Sequence, residues 1–160
     1  MRAWAETLMA LVVAVLLQIF WRSTPSYLND LINFLSVGVI YIAASRGEGV
    51  GAVVGSLAGL IQDSLTLRVL GLAGLTKTCL GFLVGLAFRK LNLQPFARKL
   101  LLLTLAAFLE IIIWSGLAFL IFAMHPPVWS GVFWFQPLTS GLIASVGLQI
   151  RNKLPREESA

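Results

Sequence analysis

The feature that most constrains this chain is a succession of apolar runs, each about long enough to cross a bilayer, separated by short polar connections. A membrane-spanning helix needs about 20 predominantly apolar residues. Only 12% of the residues are charged and 58% are hydrophobic, whereas soluble domains carry about 25% charged residues. The connections leave no room for a soluble domain, so we predict one integral membrane domain over residues 1–160, a six-helix all-α bundle.

Breaks in the apolar pattern set the bounds of the predicted helices. Arg46-Gly47 ends the second helix, and His125-Pro126-Pro127 ends the fifth because proline removes an N–H donor and clashes with the preceding turn. Pro137 predicts a kink or a broken first turn in the sixth helix. The predicted helices cover residues 3–21, 28–45, 48–65, 72–88, 99–124 and 128–150, and residues 151–160 form a polar tail.

The basic residues predict how the helices are oriented. Six spans place both ends of the chain on one side, which carries Arg2, Arg46, Arg89, Lys90, Arg98, Lys99, Arg151, Lys153 and Arg156. Only Arg22 and Arg68 lie on the other side, and Lys77 lies within the fourth helix. Because basic residues concentrate on the cytoplasmic side, we predict that both termini are cytoplasmic. The net charge of +5 then reflects membrane orientation rather than nucleic-acid binding.

Glycines recur on the third and fourth predicted helices. Helices in lipid associate through close packing, which small residues permit. Two interpretations stay open: the glycines pack the third, fourth and sixth helices together, or part of the glycine face receives a helix of another protein. The glycines concerned are Gly51, Gly55, Gly59, Gly71, Gly74, Gly81 and Gly85, with Gly141 on the sixth helix.

Asp63 lies one turn beyond Gly59, near the outer end of the third helix. An unpaired charge at the bilayer centre costs about 3 kcal/mol, and less near the interface. We therefore predict that Asp63 pairs with Lys77 or with Arg68, bracing the hairpin between the third and fourth helices. A ligand or partner contact is the alternative.

Glu110 falls near the middle of the fifth predicted helix. An ionisable group within the membrane is a functional hypothesis by default, and it must be protonated, hydrogen-bonded or in contact with water. A structural polar cluster and a functional cavity are both open. Candidate neighbours at similar depth are Asn33, Ser36, Ser56, Thr78 and Ser140.

The chain lacks the residue patterns of the usual active sites. One histidine, His125, and one cysteine, Cys79, offer no soft metal site. Leu138-Thr139-Ser140-Gly141 lacks the first glycine of a rhomboid-type serine site. The two aspartates, Asp30 and Asp63, lack the Gly-x-Gly-Asp context of intramembrane aspartyl proteases. We predict a protein that is not an enzyme and that uses no metal and no cofactor.

One motif pattern covers about a third of the chain. A polar pair opens the second helix, Arg-Gly ends it, and a glycine-rich third helix carries Gly-Leu, two further residues and Asp before Leu-Gly and a glycine-bearing fourth helix. The residues are Asn29-Asp30-Leu31, Arg46-Gly47, Gly51, Gly55, Gly59-Leu60-Ile61-Gln62-Asp63, Leu70-Gly71-Leu72 and Gly81. The pattern resembles the MreD family of rod shape-determining membrane proteins, in which Pro-Asp usually stands where this chain has Asn29-Asp30.

The resemblance implies a non-enzymatic subunit of the bacterial elongation machinery in the inner membrane. MreD-like proteins sit with MreC, a bitopic membrane protein, near the actin-like MreB filament. Their complex governs the peptidoglycan synthase pair of RodA and its penicillin-binding transpeptidase. The resemblance thus implies a scaffold or regulator that binds an MreC-like partner through transmembrane helices.

The same family is similar in architecture to the S components of energy-coupling-factor vitamin transporters. Those six-helix proteins dock through an Ala-x-x-x-Ala surface on their first helix, and Ala10-Leu11-Val12-Val13-Ala14 has that form. The alternative function is therefore a substrate-binding subunit of a small-molecule transporter with a cavity near Glu110. Short outer loops with few convergent polar groups favour the scaffold. A homodimer is also open.

Overall fold

The fold is all-α, as predicted. A computed structural model describes residues 2–23, 32–66, 70–91, 95–122 and 131–153. The helices in these ranges are α1 (Arg2–Trp21), α2 (Phe34–Arg46), α3 (Glu48–Thr66), α4 (Leu72–Lys90), α5 (Phe96–Phe122) and α6 (Gly131–Lys153).

The structure differs from the prediction at the start of the second helix and at Pro137, in each case for a local reason. α2 begins at Phe34 because Asn33 caps it, with its side-chain oxygen accepting the Ser36 N–H at 3.1 Å. Residues 24–31, where the predicted helix began, lie outside the described residues. α6 runs through Pro137 without interruption from Gly131, so a break of the helix at Pro137 is wrong, whereas the alternative, a kink, stays a prediction. The His125-Pro126-Pro127 stop also lies outside the described residues.

Three of the described helices are long and apolar enough to cross a membrane, judged by length and composition. They correspond to Trp4–Trp21 in α1, Leu72–Lys90 in α4 and Phe96–Ile121 in α5. α2 is apolar but has 13 residues, about 20 Å at 1.5 Å per residue, which is less than the roughly 30 Å hydrocarbon core. The count of six spans stays a prediction.

α2 forms the centre of the bundle. Its side chains Leu35, Val39, Ile40 and Ala43 are fully buried, and it packs against α1, α3, α4 and α6. α1 and α5 lie at the periphery, where only 11% of each apolar window is buried. Large apolar side chains on the outside are ordinary for helices in lipid, since lipid tails are as apolar as leucine.

α3 and α4 form a close antiparallel hairpin. A Cβ added at Gly51 would lie 2.5 Å from the carbonyl oxygen of Gly81. A Cβ at Gly55 would overlap the carbonyl of Lys77, and one at Gly59 would overlap that of Ala73. The contacts advance by one helical turn on each helix. α4 therefore fills this glycine face, which supports internal packing over insertion of a partner helix there.

The remaining glycines fit this arrangement with one correction. Gly85 packs on the backbone of Glu48. A Cβ added at Gly74, by contrast, would lie 3.5 Å from the Leu60 side chain, which is an ordinary contact distance. Gly141 of α6 packs on Thr104 of α5 rather than on the hairpin. The expectation that α6 joins α3 and α4 through this residue is wrong, because α6 packs against α5 and the central α2.

Candidate functional site

The carboxylate of Asp63 caps the N-terminus of α4. Its Oδ2 accepts the N–H of Gly71 at 2.8 Å, and both oxygens accept the N–H of Ala73, at 3.2 and 3.1 Å. The first N–H groups of a helix have no partners within it. Gly71, the N-cap residue of α4, has no side chain to supply one. Asp63 takes over the capping role from the neighbouring helix.

This geometry contradicts one of the two pairings predicted for Asp63 and leaves the other a prediction. The carboxylate does not reach Lys77, whose ammonium pairs with Glu110, and Arg68 lies outside the described residues. The N-terminal end of a helix carries partial positive charge, which favours a carboxylate there. Gly71 adopts φ +97°, a left-handed conformation that glycine accepts at no steric cost. The Leu-Gly of the motif thus provides the turn and Asp63 the cap.

Lys77, Glu110 and Ser36 form a polar triad inside the bundle. The ammonium Nζ of Lys77 lies 2.5 Å from Oε1 of Glu110 and 2.5 Å from Oγ of Ser36. The Ser36 hydroxyl donates to the same Glu110 oxygen at 2.8 Å. One residue each from α2, α4 and α5 therefore meets in a closed triangle. Gly55 positions this triad indirectly, because the backbone of α3 at Gly55 packs directly against the carbonyl of Lys77.

Further hydrogen bonds connect the triad to α1 and α3. Asn33, which caps the N–H of Ser36, donates from Nδ2 to Oε1 of Gln62 at 3.3 Å. The side-chain oxygen of Gln18 accepts the N–H of Phe34 at 2.9 Å. The polar layer around the start of α2 thus ties together α1 to α5.

The triad neutralises its own charges. The Lys77 side chain is 0% exposed and that of Glu110 is 12% exposed. Removing one member of a buried pair leaves an uncompensated charge, whereas replacing both with apolar residues is often neutral. Oε1 of Glu110 takes both contacts, and Oε2 accepts no hydrogen bond from the residues that the structure describes. The site can therefore hold helices together and accept one further donor.

Sequence reasoning found part of this site. Ser36 was among the five candidate neighbours of Glu110, but Lys77 was not. Thr78 instead donates to the carbonyl of Gly74 at 2.7 Å, and buried Ser140 has no partner within the described ranges. The available signal was that Lys77 is the lone basic residue in the interior of a predicted membrane helix, away from its ends, so it needed a carboxylate.

Within the described residues, no group of three or more His, Cys, Asp or Glu side chains could hold a metal ion. Cys79 is exposed on α4.

Comparison with known proteins gives one match. The family model described as rod shape-determining protein MreD matches residues 1–150, a range that contains the hairpin and the triad. No curated protein and no solved structure matches the chain.

Proposed function

This chain belongs to the MreD family of rod shape-determining proteins, and we propose that it is a non-enzymatic scaffold or regulatory subunit of the cell-elongation machinery. As a family member with long apolar helices, it is an inner-membrane protein. The proposed role is to bind an MreC-like bitopic protein and to support peptidoglycan synthesis by RodA and its penicillin-binding transpeptidase. MreB takes part indirectly.

The observation that carries the proposal is the use of the charged residues inside the bundle. Asp63 caps α4, and Lys77 and Glu110 pair with each other. Each of these groups joins one helix to another. Such contacts make the bundle rigid, and a scaffold needs a rigid surface on which partners can bind. A carrier would aim such groups into a shared cavity. This supports the scaffold over the small-molecule transporter.

We assign the site residues a supporting role in this function. Gly51, Gly55 and Gly59 let α3 approach α4 closely, and Asp63 with Gly71 fixes the turn between them. The hairpin is thereby a stiff unit that holds the Lys77 side chain beside Glu110. Substitutions in the hairpin would disturb partner assembly by displacing the triad.

We further propose one domain with six spans, similar in architecture to energy-coupling-factor S components, with both termini in the cytoplasm. Two ion pairs support placing the basic ends of α1 to α4 on one side of the membrane, and the positive-inside rule is what assigns that side to the cytoplasm. Arg46 pairs with Glu6 at 2.7 Å, linking α2 to α1, and Arg89 pairs with Glu48, linking α4 to α3.

The test is purification of the tagged full-length protein from its native membrane in a mild detergent, followed by mass spectrometry. An unrelated tagged multi-pass protein at equal abundance is the control. We expect specific recovery of an MreC-like bitopic protein, with RodA or its transpeptidase. Recovery of ATP-binding cassette subunits or of a bound small molecule in their place would reject the scaffold and favour the transporter alternative.

A further inference from the structure

Among the residues that the structure describes, one oxygen of the Glu110 carboxylate, Oε1, has hydrogen-bond partners and the other, Oε2, has none. Lys77 and Ser36 both contact Oε1, whereas Oε2 accepts no hydrogen bond from the described part of the chain. The side chain remains 12% exposed, unlike fully buried Lys77. The unengaged oxygen therefore belongs to a residue that is partly accessible from outside the bundle.

An unengaged carboxylate oxygen inside a membrane requires a donor. Hydrocarbon chains have no N–H or O–H groups, and leaving a polar group unsatisfied there costs several kcal/mol. The surroundings of Glu110 on α5 are apolar: Leu109 is 39% exposed and Ile112 is 64% exposed. A molecule that packs beside α5 can supply the donor and cover this apolar surface at the same time.

We propose that Oε2 of Glu110 accepts a hydrogen bond from a transmembrane helix of a partner protein that packs beside α5. This inference rests on the proposed scaffold function and specifies its contact surface. α5 has room for such a helix, because only 11% of its apolar window is buried within the chain. Interhelical hydrogen bonds of this kind stabilise helix association in membranes.

The charge of the triad specifies the donor. Lys77 already neutralises Glu110, so a lysine or arginine of the partner would add an uncompensated positive charge within the membrane. An uncharged donor adds none. The partner side chain is therefore a hydroxyl or an amide, from serine, threonine, asparagine or glutamine, at the depth of Glu110.

A paired substitution tests the contact without leaving a buried charge. Lys77→Met combined with Glu110→Leu removes both charges and the acceptor, and such replacements of buried pairs are often neutral for folding. The probe is the full-length MreC-like protein of the same cell, co-expressed and recovered in mild detergent. We expect its recovery per molecule of bait to fall roughly 3- to 30-fold, the range of interhelical hydrogen bonds in membranes.

Photo-crosslinking locates the surface in the otherwise unchanged protein. A photoreactive phenylalanine at Leu109, beside Glu110, should crosslink the partner's transmembrane segment. The same probe at Leu57 of α3, which is 48% exposed and follows Gly55, should not. This measurement stays informative if the paired variant fails to fold.

The outcomes separate the contact from the function. If the partner is recovered with the wild type, undiminished with the folded paired variant, and crosslinks at Leu57 but not at Leu109, the α5 contact is wrong and the scaffold function stands. Oε2 is then held by water or by lipid. If the wild type recovers no MreC-like protein, the proposed function fails and this inference fails with it.

Discussion

The N–H of Gly71 donates a 2.8 Å hydrogen bond to the carboxylate of Asp63, which lies on the preceding helix. A glycine N-cap forms the left-handed turn into α4, but it has no side chain to accept hydrogen bonds from the free N–H groups that follow it. Asp63 supplies that acceptor from α3, and Gly59 lets α3 come close enough to do so. The spacing of Gly59 and Asp63, one helical turn, thus couples close packing to capping.

Replacing Asp63 should therefore destabilise the hairpin. Asp63→Ala leaves the buried N–H of Ala73 unpaired, and an unsatisfied buried donor costs about 1–3 kcal/mol. We expect a clear fall in the thermal unfolding midpoint in detergent, with Asp63→Asn intermediate. Exposed Ser64→Ala, a neighbour on α3, is the control and should change the midpoint little. Equal midpoints for Asp63→Ala and Ser64→Ala would contradict the capping role.

Replacement by alanine should change the unfolding midpoint in opposite directions at two glycines, Gly55 and Gly116. Gly55→Ala places a Cβ on the carbonyl of Lys77, whereas a Cβ at Gly116 of α5 meets nothing within 4 Å. Gly55→Ala should thus separate α3 from α4 and lower the unfolding midpoint. Gly116→Ala should raise it slightly, since alanine favours a helix interior over glycine by roughly 0.5–1 kcal/mol. A Gly55→Ala protein as stable as Gly116→Ala would show that α3 and α4 are farther apart.

The ion pair predicts strong coupling between two substitutions. Lys77→Met or Glu110→Leu alone leaves one buried charge, a loss of about 3–5 kcal/mol, whereas the paired variant should lie near the wild type. The measurement is a double-mutant cycle on the free energy of unfolding in detergent. Glu6→Leu is the control, because Glu6 also forms an ion pair, with Arg46, but its side chain is 68% exposed, where pairs contribute about 0–1 kcal/mol. Additive single and double losses would show that the two charges are independent.

Much of this fold follows from sequence because lipid imposes simple rules. Apolar run length located α3 and α4 to within two residues of their observed ends. Glycine spacing indicated their close contact, which holds because a Cβ at Gly55 has no room. These features depend on residues adjacent along one helix face and need no knowledge of the tertiary arrangement.

The pairing of the charges could not be predicted in the same way. Lys77 lies five residues into α4, whereas Glu110 lies twelve residues before the end of the 27-residue α5. Counting from the helix ends therefore placed them at different depths. Asp63 therefore seemed the nearer partner for Lys77. Its actual role is to cap a neighbouring helix from eight residues before the N-cap, and that role depends on the turn geometry, which the sequence does not give. Only the relative positions of the helices decide which carboxylate each donor meets.

The proposed orientation makes a prediction about two exposed leucines at opposite ends of α4. Leu70 is 69% exposed just before the helix and Leu91 is 53% exposed just after it. In a Cys79→Ser background, Leu70→Cys should react with a membrane-impermeant maleimide on spheroplasts. Leu91→Cys should react only after the membrane is permeabilised, because the basic residues Arg89 and Lys90 at that end of α4 predict a cytoplasmic location. The reverse pattern would invert the topology, and equal labelling of both on intact spheroplasts would mean that α4 does not span.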